Sequence, residues 1–222
     1  MFIGATLPTL VSARRTKQNG GMSPTLPPLL SIFSEIWSQH ILRDVLESGM
    51  TSERALQASL YFHLRRQLNG EARILVEPRM QVDGVSLVPD LFILTSDNDA
   101  LFIELKLQNS AGQGIVWETD FQKFGRIESA ARSGNSLQIP ERGRTRPFPM
   151  PARRMYLFAA VGDETCRALQ EEWIRKHAPR IVGIDARCFW AGGITDFGKE
   201  RFDGPVEVVE TSRPFRREGR AS

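Results

Sequence analysis

Apolar residues recur every three or four positions from Leu29 to Ser48, as Leu30, Phe33, Trp37, Ile41 and Val45. That spacing predicts an amphipathic helix ended by Gly49. A second helix is expected from Ser52, as N-cap, to about Leu68, with Leu56, Leu60, Leu64 and Leu68 as its core stripe and Asn69-Gly70 as its stop. The period then changes. Arg73–Val82 and Val85–Leu94 are strand-like runs separated by Asp83-Gly84, a strong hairpin signal. After the polar turn Thr95–Asp99, Ala100–Leu107 is a third strand, so a three-stranded antiparallel meander is expected. A helix from about Thr119 to Arg132 carries Phe121, Phe124 and Ile127 on one face, and Gln138–Arg154 is expected to be a long Pro/Arg-rich connection. Met155–Val161 predicts a fully apolar strand, Asp163–His177 a helix, Arg180–Asp185 a strand and Val206–Val209 a short one. The order ααβββαβαβ indicates an α/β domain with a mixed sheet.

The chain has 222 residues, 41% apolar and 25% charged, ample for one globular core. No run approaches the roughly 18 apolar residues of a membrane span, so no membrane partner is expected. Cys166 and Cys188 have no metal-type spacing and fit free thiols in a cytoplasmic protein. The net charge of +3 is unevenly placed. Arg14, Arg15 and Lys17 face no acid in residues 1–30, and Arg213, Arg216, Arg217 and Arg220 outnumber Glu218 in residues 213–222. The body between them is acidic. Residues 1–28 are expected to be a flexible arm, 29–212 a single domain and 213–222 a basic tail. A secretory leader is disfavoured because no Lys or Arg precedes Phe2–Val11 and Pro8 interrupts it; Met22 offers an alternative start.

The candidate chemistry lies on two strands. Alternation puts Phe102, Glu104 and Lys106 on one face and Ile103, Leu105 and Leu107 on the other. A suitable register brings Asp90, on the neighbouring strand, beside Glu104. Two carboxylates buried together are costly without a cation between them. A hard divalent ion, Mg²⁺ first and Mn²⁺ as its substitute, suits oxygen ligands. Lys106 adds a positive charge suited to a phosphate. The plain alternative is a surface hairpin with an exposed Asp and a cross-strand Glu–Lys arrangement.

Asp90 after Pro89, followed by Glu104-Leu105-Lys106 on the next apolar strand, resembles the signature of the PD-(D/E)XK nuclease superfamily, the restriction-endonuclease-like fold. The resemblance spans roughly Ser52 to Val161. It implies a mixed sheet flanked by helices, with the site on the meander, and a metal-dependent nuclease hydrolysing phosphodiester bonds in DNA. By the same resemblance Asp90 and Glu104 would bind Mg²⁺, Lys106 would orient or activate the attacking water, and Glu53 would be a further acid on the preceding helix. Some branches carry Gln and Tyr four residues apart on the helix after the meander; here Gln122 is followed by Arg126. Asp120, Lys123 and Arg126 instead form a polar edge able to face the site.

Lys123, Arg126, Arg142, Arg144 and Arg146 are the candidate DNA contacts, and Arg153 and Arg154 extend the basic run. A homodimer is compatible with this reading. No nucleotide cofactor is expected, because Gly112-Gln113-Gly114 lacks the Lys-Ser/Thr ending of a phosphate loop. His40, His63 and His177 are scattered, and the four Trp residues suit the core. The competing reading is a catalytically inactive domain of the same shape, serving DNA binding or protein assembly.

Overall fold

The structure is a computed structural model that describes residues 26–48, 50–108, 118–141, 144–162, 186–192 and 207–211. It is a mixed α/β arrangement with two sheets. The first helix, α1 (Leu26–Ile36), starts three residues before the expected Leu29, and the rest of the expected arm lies outside the described residues. Pro27 and Pro28 occupy its first turn, where a helix leaves its N–H groups unbonded anyway. A π-helical turn, Trp37–Ile41, leads into α2 (Leu42–Ser48). The next helix, α3 (Glu53–Leu68), begins as expected: Ser52 is extended, and its Oγ accepts the Ala55 N–H at 3.2 Å. It ends at Asn69 in the left-handed region, with the Asn69 N–H bonded to the Arg65 carbonyl. Ser52→Ala is expected to cost about 1 kcal/mol, measurable as a lower urea midpoint with an unchanged slope.

The strands differ from expectation in an informative way. The first apolar run splits into β1 (Ala72–Val76) and β2 (Met80–Val82), and the second into β3 (Val85–Leu87) and β4 (Leu91–Thr95). The breaks fall at Pro78 and Pro89, which cannot donate to a ladder, and at Glu77, whose φ is 44°. The expected turn is present: Asp83 and Gly84 both have positive φ, as a two-residue hairpin loop with the right twist requires. The predicted three-stranded meander is thus divided between two sheets. β1 pairs antiparallel with β4, and β4 with β5 (Asp99–Leu107), while the β2–β3 hairpin joins another sheet.

Beyond β5 come α4 (Glu118–Arg132), β6 (Leu137–Glu141), β7 (Arg144–Phe148) and β8 (Arg153–Val161). The expected Pro/Arg-rich connection is therefore mostly the β6–β7 hairpin. Its prolines are tolerated because Pro147 sits on an edge strand and Pro140 lies beyond the single β2–β6 pairing position, Gln81↔Gln138. Two further strands follow, β9 (Ala186–Gly192), which the pattern did not predict, and β10 (Glu207–Thr211). The expected helix at Asp163–His177, the strand at Arg180–Asp185 and the basic tail lie outside the described residues.

The large sheet runs β1-β4-β5-β8-β9-β10, with β5, β8 and β9 parallel, and the small one β3-β2-β6-β7. Odd-numbered residues of β5 (Leu101, Ile103, Leu105, Leu107) pack against the α1–α3 layer. On the opposite face Ala100 and Phe102 join Phe121, Phe124 and Ile127 of α4, together with Met80, Val82 and Leu137 of the small sheet. With both faces covered, β5 is buried almost throughout. Phe102 stacks on Tyr156 at 5.2 Å. Among the described residues no helix is long and apolar enough to cross a membrane.

Ion pairs fix the layers. The Tyr156 hydroxyl donates to Glu128 at 2.8 Å, and Arg154 Nε bonds the same oxygen at 2.7 Å, which clamps α4 to β8. Arg153 bonds Asp99 across the parallel pair, Nε to Oδ1 at 2.8 Å. Both arginines are thus engaged in ion pairs, Arg154 with little exposure and Arg153 still half exposed. The two helical histidines are not scattered either: His40 and His63 stack at 4.5 Å. His63 Nε2 lies 2.9 Å from Asp44 Oδ2, which also accepts the Ser59 hydroxyl. Burial would raise the Asp44 carboxyl, but these two partners outweigh it and hold it below its usual range.

Candidate active site

The β4–β5 register, in which Leu91 faces Ile103, extends one step to set Asp90 opposite Glu104. Asp90 is held on three sides. Its carbonyl accepts from Gln57 Nε2 on α3 and from the Glu77 N–H, each at 2.9 Å. Its carboxylate Oδ2 accepts the Leu105 N–H at 2.6 Å. The left-handed Glu77 that breaks β1 is therefore the residue that turns the chain back to fix Asp90. Gln57 was not singled out from the sequence. It lies four residues after Glu53, on the same helical face, and that spacing is the signal that could have found it.

Glu104 is only 2% exposed, which excludes the surface-hairpin alternative. Alternation places Lys106 on the same face, half-buried, as expected. The polar edge of α4 closes the site: Lys123 Nζ is 2.6 Å from Glu104 Oε1 and 2.9 Å from Asp120 Oδ1, and Lys106 Nζ is 3.3 Å from Asp120 Oδ2. Lys123 also donates to the Val88 carbonyl at 3.3 Å. Lys123, expected among the DNA contacts, is thus turned inward as a counter-ion. Asp120 is buried and holds both lysines.

The remaining expected residues divide. Glu53 is exposed at the start of α3, and its Oε1 accepts the Leu107 N–H at 3.4 Å, at the end of β5. Among the described residues no group of three or more Asp, Glu, His or Cys side chains could hold one ion. Glu53 does not group with Asp90 and Glu104 in this arrangement; it borders the site from the helical layer. Arg126 is exposed on α4. Arg144 and Arg146 belong to β7, at the edge of the small sheet, and Arg142 lies outside the described residues.

The electrostatics express crowded negative charge. Burial pushes the Glu104 carboxyl up to about 8; the charges of Asp120 and Asp90 add to the rise, and Lys123 opposes it. Burial raises Asp90 too, against its bond from Leu105 and the charge of Lys106. Burial disfavours the ammonium of Lys106, yet Asp120, Glu53, Glu104 and Asp90 together hold it above its ordinary value. Lys123 is also held up, burial being outweighed by Glu104 and Asp120. Four carboxylates thus act on two lysines, an excess of two negative charges when all are ionised. The oxygen donors and this excess suit one divalent ion of the Mg²⁺ type, which is commonly held by one or two carboxylates and completes its shell with water or substrate. No family model matches the chain, and neither a curated protein nor a solved structure is significantly similar to it.

Proposed function

We propose that this protein is a Mg²⁺-dependent nuclease hydrolysing phosphodiester bonds in DNA, on a restriction-endonuclease-like core, and that it works in the cytoplasm. The observation that carries the reading is the placement of half-buried Asp90 opposite buried Glu104 on adjacent antiparallel strands, with Lys106 on the face of Glu104 and the charge excess around them. Asp90 and Glu104 would hold the ion, and Mn²⁺ would substitute for it. A bound ion supplies polarisation of a phosphoryl oxygen and a lowered pKa for water. Lys106, steadied by Asp120, orients the attacking water and offsets charge building on the phosphate. Glu53 sets the end of β5 through Leu107. Arg126 on α4, together with Arg142, Arg144 and Arg146 of the basic run, would contact the DNA backbone.

A second reading, a non-catalytic DNA-binding or assembly module, is favoured by one feature: Lys123 Nζ already occupies Glu104 Oε1. Incubation of the full chain with supercoiled plasmid and with single-stranded circular DNA, in Mg²⁺, Mn²⁺ or EDTA, separates the two. Cleavage in either metal and none in EDTA is expected. No cleavage of either substrate in either metal would favour the non-catalytic module.

A further inference from the structure

Lys123 is the side chain whose position the hydrolytic reading leaves unexplained. Its ammonium is not at the mouth of the site but 2.6 Å from Glu104 Oε1, an oxygen that the reading assigns to the metal. Two further contacts complete a cage, Asp120 Oδ1 at 2.9 Å and the Val88 carbonyl at 3.3 Å. These are the contacts of a bound cation, made by a tethered one. Asp120 is the natural pivot. It sits three residues before Lys123 on α4, and it is buried. Among the described residues its second oxygen has no hydrogen bond and meets Lys106 at 3.3 Å. Lys123 itself is a quarter exposed, so its long stem has a path outward that leaves Asp120 engaged.

We propose that Lys123 is a displaceable internal counter-ion: it occupies Glu104 in the metal-free protein, and a divalent ion and Lys123 compete for that carboxylate. This rests on the metal-dependent reading of the same site. Two cations on one buried carboxylate repel strongly, so entry of the ion drives Lys123 off Glu104 while Asp120 retains it. The displaced ammonium then lies at the edge of the site, where a phosphate approaches. Lys123 is a positioning residue that sets the threshold of metal loading.

The experiment is calorimetric titration of the full-length, metal-free protein with MnCl₂, comparing wild type, Lys123→Gln, Lys123→Arg and Glu104→Gln. Lys123→Gln is expected to bind Mn²⁺ about tenfold more tightly, because the competing charge is gone. Lys123→Arg, which keeps that charge, should stay close to wild type, and Glu104→Gln should lose binding. A second measurement needs no variant. The lysine ammonium resonance of Lys123 should be protected from exchange in the metal-free wild type and lose that protection on addition of MgCl₂. Unchanged or weaker Mn²⁺ binding in Lys123→Gln, or a Lys123 resonance indifferent to saturating MgCl₂, would overturn the competition while leaving the nuclease reading standing. Absence of Mn²⁺ binding in the wild type would overturn both.

Discussion

Replacing Lys106 with alanine is expected to lower metal-dependent cleavage by about 10²–10³-fold, the usual effect of removing one preorganised group that stabilises developing charge. Structure and chemistry can be separated at this position. The Lys106 ammonium is half-buried and lies 3.3 Å from Asp120, but Asp120 keeps Lys123 at 2.9 Å when Lys106 is gone. No buried carboxylate is stranded, so the fold should persist. Asp90 and Glu104 are untouched, so metal binding should persist, and loss of a positive charge that acts on both acids should strengthen it if it changes at all. Single-turnover rates on plasmid DNA, measured beside Mn²⁺ titration and a thermal melt, test all three statements. Cleavage at the wild-type rate would remove Lys106 from the reaction, and loss of metal binding would recast it as part of the ion site.

The second large effect is a pH dependence with an unusual sign. In the folded, metal-free protein Glu104 is pushed from 4.5 up to about 8 by burial and by Asp120 and Asp90. Between those two values the folded chain holds a proton that the unfolded chain has released. Stability should therefore fall as pH rises through this window, by a few kcal/mol at most. A divalent ion favours the ionised carboxylate and should flatten or reverse the slope. Asp44, held below its ordinary value of 3.8, acts the other way and only in more acidic solution. Thermal melts from pH 5 to 9 in EDTA and in MgCl₂ provide the check. Glu104→Gln should be nearly indifferent to pH in this range. An equal slope in wild type and Glu104→Gln would assign the effect to another group.

Much of the site was legible because alternation on a strand is rigid. Once Ala100–Leu107 is taken as one strand, Glu104 and Lys106 must share a face, and the β4–β5 register supplies Asp90. The Ser52 cap and the Asp83-Gly84 turn are equally local, each a consequence of residue chemistry within four positions. What escaped depends on neighbours distant in sequence. A proline can end a strand or be carried within one: Pro78 and Pro89 do the first, while Pro140 and Pro147 lie inside β6 and β7. β9 was missed because Cys188-Phe189-Trp190 is a short apolar run whose strand character comes from its pairing with β8. The basic run divided for a similar reason: Arg153 and Arg154 found Asp99 and Glu128, 54 and 26 residues away. Lys123 could be placed on the correct face of α4, but only packing shows that its charge is directed inward.

The excursion between β1 and β4 has a bearing on how this architecture tolerates change. Val76 pairs with Leu91, and the Glu77 N–H closes on the Asp90 carbonyl, so the chain leaves the large sheet and returns through one fixed neck. Everything distal to that neck, out to the tip at Asp83-Gly84, contributes no rung to the β1–β4–β5 ladder. Lengthening the tip therefore adds loop-closure entropy, which grows by only about 0.6 kcal/mol per doubling of length, without shifting Asp90 against Glu104. The outer hairpin is a segment through which insertions could reshape the rim, while the spacing of the two acids stays constant.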